Sequence, residues 1–109
     1  MYLAMICTWT RPTVGRERAA LDYAVRVNEF WSKLAAEGRC TAPEIFFSER
    51  GTGMWMVKGD REALTAIHDS DEGRLLTAEG QILLENFSLD LPYAGDSAAD
   101  YLMNGDAAQ

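Results

Sequence analysis

Glu44-Ile45-Phe46-Phe47-Ser48-Glu49-Arg50-Gly51-Thr52-Gly53-Met54-Trp55-Met56-Val57-Lys58-Gly59 is the stretch that decides the fold. Two short apolar runs flank a turn with two glycines, the signature of a β-hairpin. Side chains alternate across a strand. Phe46 and Trp55 are therefore expected on the face opposite Phe47 and Met56, unless register or a bulge intervenes. Either way, large apolar groups point to both sides of the hairpin, and both sides need a cover.

Working outward, the chain reads in order. Residues 2–10 form a strand that is apolar on both faces, with Leu3, Met5, Cys7 and Trp9 on one side, which places it inside a sheet. Arg11-Pro12 ends it, because proline removes a ladder donor. Thr13 is the expected cap of a helix over 16–37, with Ala20, Ala24, Val27, Trp31 and Leu34 on one stripe and Leu21, Tyr23 and Phe30 widening it. The hairpin strands are expected at 44–50 and 54–58. Asp60 is the expected cap of a second helix that buries Leu64 and Ile67. Ser70 reads as another cap, so residues 61–78 form one broken helix or two short ones, with Leu75 and Leu76 buried and Gly80 as the stop. A last strand spans 82–91. Ser97 caps a short tail helix over 98–103, and residues 104–109 are expected to fray.

This order predicts an α+β, ferredoxin-like (βαββαβ) fold: a four-stranded antiparallel sheet, two helices on one face, and an extra C-terminal helix. The 109 residues are read as one domain, with a core over 1–91 and a C-terminal extension over 92–109. Two helices cover one sheet face. The other face carries several of Met5, Ile6, Trp9, Phe46, Phe47, Trp55, Met56, Ile82 and Leu84, and is predicted to be covered by a second copy of the chain. The competing cover is the tail helix, through Tyr93, Tyr101, Leu102 and Met103.

The net charge of −7 opposes phosphate binding and docking on anionic lipid, so neither nucleic acid nor membrane is an expected partner. Cys7 and Cys40 read as reduced thiols of a cytoplasmic protein, without ligand spacing for a metal. No signal peptide or membrane span is expected.

The segments Gly59-Asp60-Arg61-Glu62-Ala63-Leu64, Ser70-Asp71-Glu72, Gly80 and Leu84-Glu85-Asn86-Phe87 resemble those of small ferredoxin-like proteins of the dimeric α/β-barrel superfamily. The resemblance runs over the whole chain as a pattern of caps and core positions. It implies a homodimer, and relatives that include cofactor-free oxygenases, haem-degrading enzymes, small dehydratases and proteins without known activity. The haem-degrading relatives use an Asn, a Trp and a His. Trp55 and His68 are present here, but Thr8 and Thr10 stand where the Asn is expected, so no haem or other cofactor is expected.

For chemistry, Glu85 is the leading general-base candidate, because a carboxylate in an apolar pocket gains a raised pKa, against its reading as a solvated edge residue or a salt-bridge partner of Arg50 or Lys58. His68, the one histidine, is the second candidate, against its reading as a surface residue near a helix end. Tyr23 and Asp22 are placed to reach a cleft between helix and sheet. The candidate ligand-binding residues are Trp9, Phe46, Trp55, Met56 and Asn86, suited to an apolar or aromatic small molecule. Three functions stay open: a homodimeric binding domain, a purely structural or regulatory dimer with a filled interface, and a cofactor-independent monooxygenase, cyclase or isomerase using Glu85 or His68 as base.

Overall fold

The computed structural model describes residues 1–104. Its sheet has four strands, β1 (Tyr2–Trp9), β3 (Glu44–Phe47), β4 (Gly53–Asp60) and β6 (Ser88–Asp90), in the order β3-β4-β1-β6. Every neighbouring pair is antiparallel. A two-stranded ribbon, β2 (Arg11–Pro12) with β5 (Leu84–Glu85), extends from the sheet beyond Trp9. The helices are α1 (Glu17–Ala36), α2 (Arg61–Asp69), α3 (Asp71–Leu83) and α4 (Asp96–Asn104). This is the expected α+β, ferredoxin-like arrangement.

Strand alternation builds the core. Leu3, Met5, Cys7 and Trp9 of β1 lie buried beside Gly53, Trp55, Val57 and Gly59 of β4. The helices lie on this face, with Ala20, Tyr23, Val27, Trp31 and Leu34 of α1 and Leu64, Ile67, Leu76 and Leu83 of α2 and α3 buried. The Tyr23 hydroxyl donates to the Leu76 carbonyl at 2.6 Å and fastens α1 to α3. On the surface of the same junction, the Arg26 guanidinium grips both oxygens of Glu79, at 2.6 and 3.0 Å.

Ser70 caps α3 as expected, accepting from the Gly73 N–H at 3.1 Å while donating to the Ile67 carbonyl at 2.6 Å. Gly73 is required there, since a Cβ would lie 2.2 Å from the Ile67 carbonyl oxygen. Gly80 does not stop the helix. It lies buried within α3, where a Cβ would stand 2.6 Å from the Tyr23 hydroxyl and 2.7 Å from the Phe87 ring, so its role is close packing. Leu75 is exposed and only Leu76 is buried. Thr13 does not cap α1. Its hydroxyl donates to the Ile82 carbonyl at 2.9 Å, and the helix begins at Glu17 without a side-chain cap. Asp60 likewise precedes α2 without a side-chain cap bond.

The last strand is shorter than expected. Helix α3 runs on to Leu83, and Asn86, at φ 56°, separates β5 from β6. The tail helix starts earlier than expected. Ser97 accepts from the Tyr2 N–H at 2.8 Å, and Tyr101 stacks on Tyr93 at 4.7 Å. Helix α4 buries none of its residues, and Leu102 and Met103 are exposed to solvent. From residue 105 on, the expected fraying lies outside the described residues.

The hairpin register corrects the expected facing. Ile45 pairs with Trp55 and Phe47 with Gly53, so Ile45 and Phe47 share the helix face with Trp55. Phe46 pairs with Met54, and Glu44 with Met56. The reason is the loop. The Ser48 N–H bonds the Thr52 carbonyl at 2.9 Å, and Gly51, at φ 90°, makes the reversal, so the turn spans more residues than the glycine pair alone. Ile6, Phe46, Met54 and Met56 consequently lie together on the face away from the helices.

Candidate functional site

Helix α1 carries alanine at positions 20 and 24, one turn apart, above the two tryptophans of the sheet. Larger side chains there would reach the sheet; alanines do not. They leave an apolar cavity of about 240 Å³ between α1 and the β3–β4 hairpin. Trp9, Trp55 and Leu84 line the sheet side, Ala20, Tyr23, Ala24 and Val27 the helix side, and Leu21, Ile45 and Phe47 the rim. The rim residues are exposed, so the cavity opens to solvent past apolar groups.

The walls are held rigidly. The Trp9 indole packs closely against Gly53, where a Cβ would be 2.1 Å from the ring, and its centroid is 5.8 Å from that of Phe47. Trp55 packs on Trp31 at 5.6 Å, and Trp31 meets Phe30 edge-on at 5.4 Å. Glu17, in the first turn of α1, is the one charged residue of the lining. The Tyr23 phenol has its proton engaged by Leu76, and burial pushes its pKa upward. Beneath the cavity, burial pushes the Cys7 thiol up to about 12. Neither group is a ready nucleophile or base at neutral pH.

The residues singled out from the sequence separate into three places. Trp9 and Trp55 line the cavity. Phe46 and Met56 stand on the opposite sheet face, as the register requires. Asn86 sits in the turn between β5 and β6, where its amide donates to the Thr10 hydroxyl at 3.1 Å beside a shallow open hollow. Glu85 borders that hollow, half-buried, and its carboxylate is ion-paired with Arg11. It lacks the expected apolar enclosure. His68 bonds Asp69 at 3.1 Å and adjoins only a crevice of about 20 Å³, room for roughly one water. Tyr23 reaches the cleft as expected, and Asp22 is exposed outside the lining. Glu17, Ala20, Ala24, Ile45 and Phe47 were not legible as site residues. The available signal was the pair of alanines spaced by four on the apolar face of a long helix. Among the described residues, no cluster of His, Cys, Asp or Glu could hold a metal ion, and no helix is long and apolar enough to cross a membrane.

No protein-family model matches the chain, and no curated protein sequence matches it. Solved structures do. Rv0793 from Mycobacterium tuberculosis superposes with a TM-score of 0.69 at 18% identity, over 90% of this chain and 99% of that one. An antibiotic biosynthesis monooxygenase is similar at a TM-score of 0.64 and 18% identity, over 85% of this chain and 98% of that one. A protein of unknown function from Bacteroides fragilis, described as dimeric and ferredoxin-like, gives 0.60 at 9% identity, over 85% and 96%. At these identities the likeness establishes the ferredoxin-like fold.

Proposed function

We propose that this protein binds an apolar or aromatic small molecule in the cleft between α1 and the β3–β4 hairpin. The observation that carries the reading is a preformed cavity of about 240 Å³ whose lining is aromatic and aliphatic but for Glu17. Ligand sites are typically concave, mostly apolar and largely preformed, with few polar groups. An apolar cavity of about 150 Å³ holds benzene, so this one suits about one or two fused rings, with room at the open rim for a substituent.

The protein is further proposed to act as a homodimer joined through the sheet face away from the helices. Ile6, Phe46, Met54 and Met56 form an apolar patch there that α4 does not bury. The fold neighbour described as dimeric supports the same reading. Both cysteines are free thiols, which fits a reducing compartment such as the cytoplasm. The neighbour named as a monooxygenase raises a catalytic alternative for the same cavity. Glu85 and His68 lie outside the cavity, which weighs against this alternative.

Calorimetric titration with 2-naphthol tests the binding reading. The parent protein is expected to bind one equivalent per chain. Ala24→Leu, which fills the void from a half-buried position, is expected to abolish binding while the melting temperature holds or rises. Equal binding by parent and variant would overturn the assignment.

A further inference from the structure

We infer that Glu17 sets the charge selectivity of this cavity, which favours neutral or cationic aromatic ligands bearing a hydrogen-bond donor, phenols and amines, over carboxylates. The inference rests on the reading of the cavity as the ligand site.

Glu17 is the one carboxylate in an otherwise apolar lining. A carboxylate offers about four lone-pair positions to donors. Here one oxygen accepts a single backbone N–H, from Gly15 at 3.2 Å. Among the described residues, no ion pair engages Glu17, whereas Glu79 is held by Arg26 and Glu85 by Arg11. Arg16 and Arg18 flank Glu17 in sequence, but neither lines the cavity. The Tyr23 hydroxyl cannot substitute as a donor to a ligand, because its proton is committed to Leu76. A ligand hydroxyl or ammonium at the mouth therefore meets an acceptor with spare capacity, and a ligand carboxylate meets a like charge.

One effect opposes this. The start of α1 carries the positive end of the helix dipole, which by itself attracts anions. That end is worth roughly half an elementary charge, and Glu17 places a full negative charge in the same turn. Within the lining itself Glu17 is the one full charge, since Arg16 and Arg18 lie outside it, so the balance at the cavity wall is negative. Because Glu17 is solvent-exposed, the discrimination is modest and shrinks with salt. About fivefold is expected at low ionic strength, the effect of one like charge at contact distance in water-like surroundings.

The test compares three probes with one ring system, 2-naphthol, 2-naphthylmethylamine and 2-naphthoate, by calorimetric titration at low salt. The expected result is that naphthoate binds at least about fivefold more weakly than the other two. Glu17→Gln should close the gap by strengthening naphthoate, and Glu17→Lys should place naphthoate above the amine. Equal affinities in the parent, or a gap that survives Glu17→Gln, would overturn the role of Glu17 while leaving the cavity assignment in place. If none of the probes binds the parent, the cavity assignment fails and this inference with it.

Discussion

Gly53→Ala probes the stacking on which the cavity wall depends. The added Cβ would lie 2.1 Å from Cζ2 and 2.3 Å from Cε2 of Trp9. Unstrained carbon contacts are about 3.5–4.0 Å, so the ring must retreat by roughly 1.5 Å. In a fully packed core, such crowding costs about 1–3 kcal/mol. Trp9 has the cavity beside it, and a ring with somewhere to go relaxes more cheaply. The lower part of that range is expected, about 1–2 kcal/mol. For a domain of this size that lowers Tm by about 4–16 °C. The displacement also narrows the cavity, so 2-naphthol affinity should fall by at least about tenfold, the equivalent of roughly 1.4 kcal/mol.

Thermal unfolding followed by near-ultraviolet circular dichroism, together with calorimetric titration, reads both effects. Gly73→Ala is a useful contrast. Its Cβ would meet the Ile67 carbonyl oxygen at 2.2 Å, a backbone atom that cannot swing aside. It should destabilise more than Gly53→Ala, in the tail above about 4 kcal/mol, because the α2–α3 junction must reopen. A Gly53→Ala variant that melts within a degree of the parent and binds 2-naphthol with unchanged affinity would refute the reasoning: Trp9 would then neither rest on Gly53 nor wall the cavity.

Three further outcomes are expected. Guanidinium hydrogen bonds from Arg26 hold the Glu79 carboxyl below its usual range. A depressed pKa gives stability that is present above the ordinary carboxylate range and is lost as pH falls through the folded value. Both partners are partly exposed and screened by solvent, so Arg26→Met should cost about 0.5–1 kcal/mol at pH 7 and progressively less as pH falls below the ordinary carboxylate range; a cost that does not shrink in acid would contradict this. A thiol titration at pH 8 should find one reactive group, Cys40, until denaturant exposes Cys7, whose buried thiol is pushed up to about 12. Two thiols reacting at once in the native protein would show that β1 is not sealed. Met54→Lys with Met56→Lys places two charges on the open sheet face and should yield a monomer by native mass spectrometry, with 2-naphthol binding retained; a persistent dimer mass would move the interface elsewhere.

What could be read from the sequence divides along physical lines. Caps and apolar stripes are local, so Ser70, the α2–α3 break and the buried face of α1 were legible. Gly80 was misread as a stop because a glycine that ends a helix and one that admits a neighbour look alike in sequence; the neighbours are Tyr23 and Phe87, far from it along the chain or beyond the next turn. The hairpin register depends on how many residues the turn consumes, and a slip of one residue moves every side chain to the other face. That is why Phe46 was placed on the face of Trp55, although the two lie on opposite faces. Glu85 was placed among apolar strand neighbours, but α3 runs to Leu83 and Arg11 pairs across the ribbon, so the carboxylate is compensated. The cavity is hardest of all to see, since an alanine satisfies an apolar stripe as well as a leucine does and a void leaves no mark on periodicity. Its trace is a mismatch of volume, Ala20 and Ala24 opposite strands whose large groups are already spent on Trp31 and Phe47. Closing that void with Ala24→Leu should therefore leave every pattern in the sequence intact and abolish the proposed 2-naphthol binding.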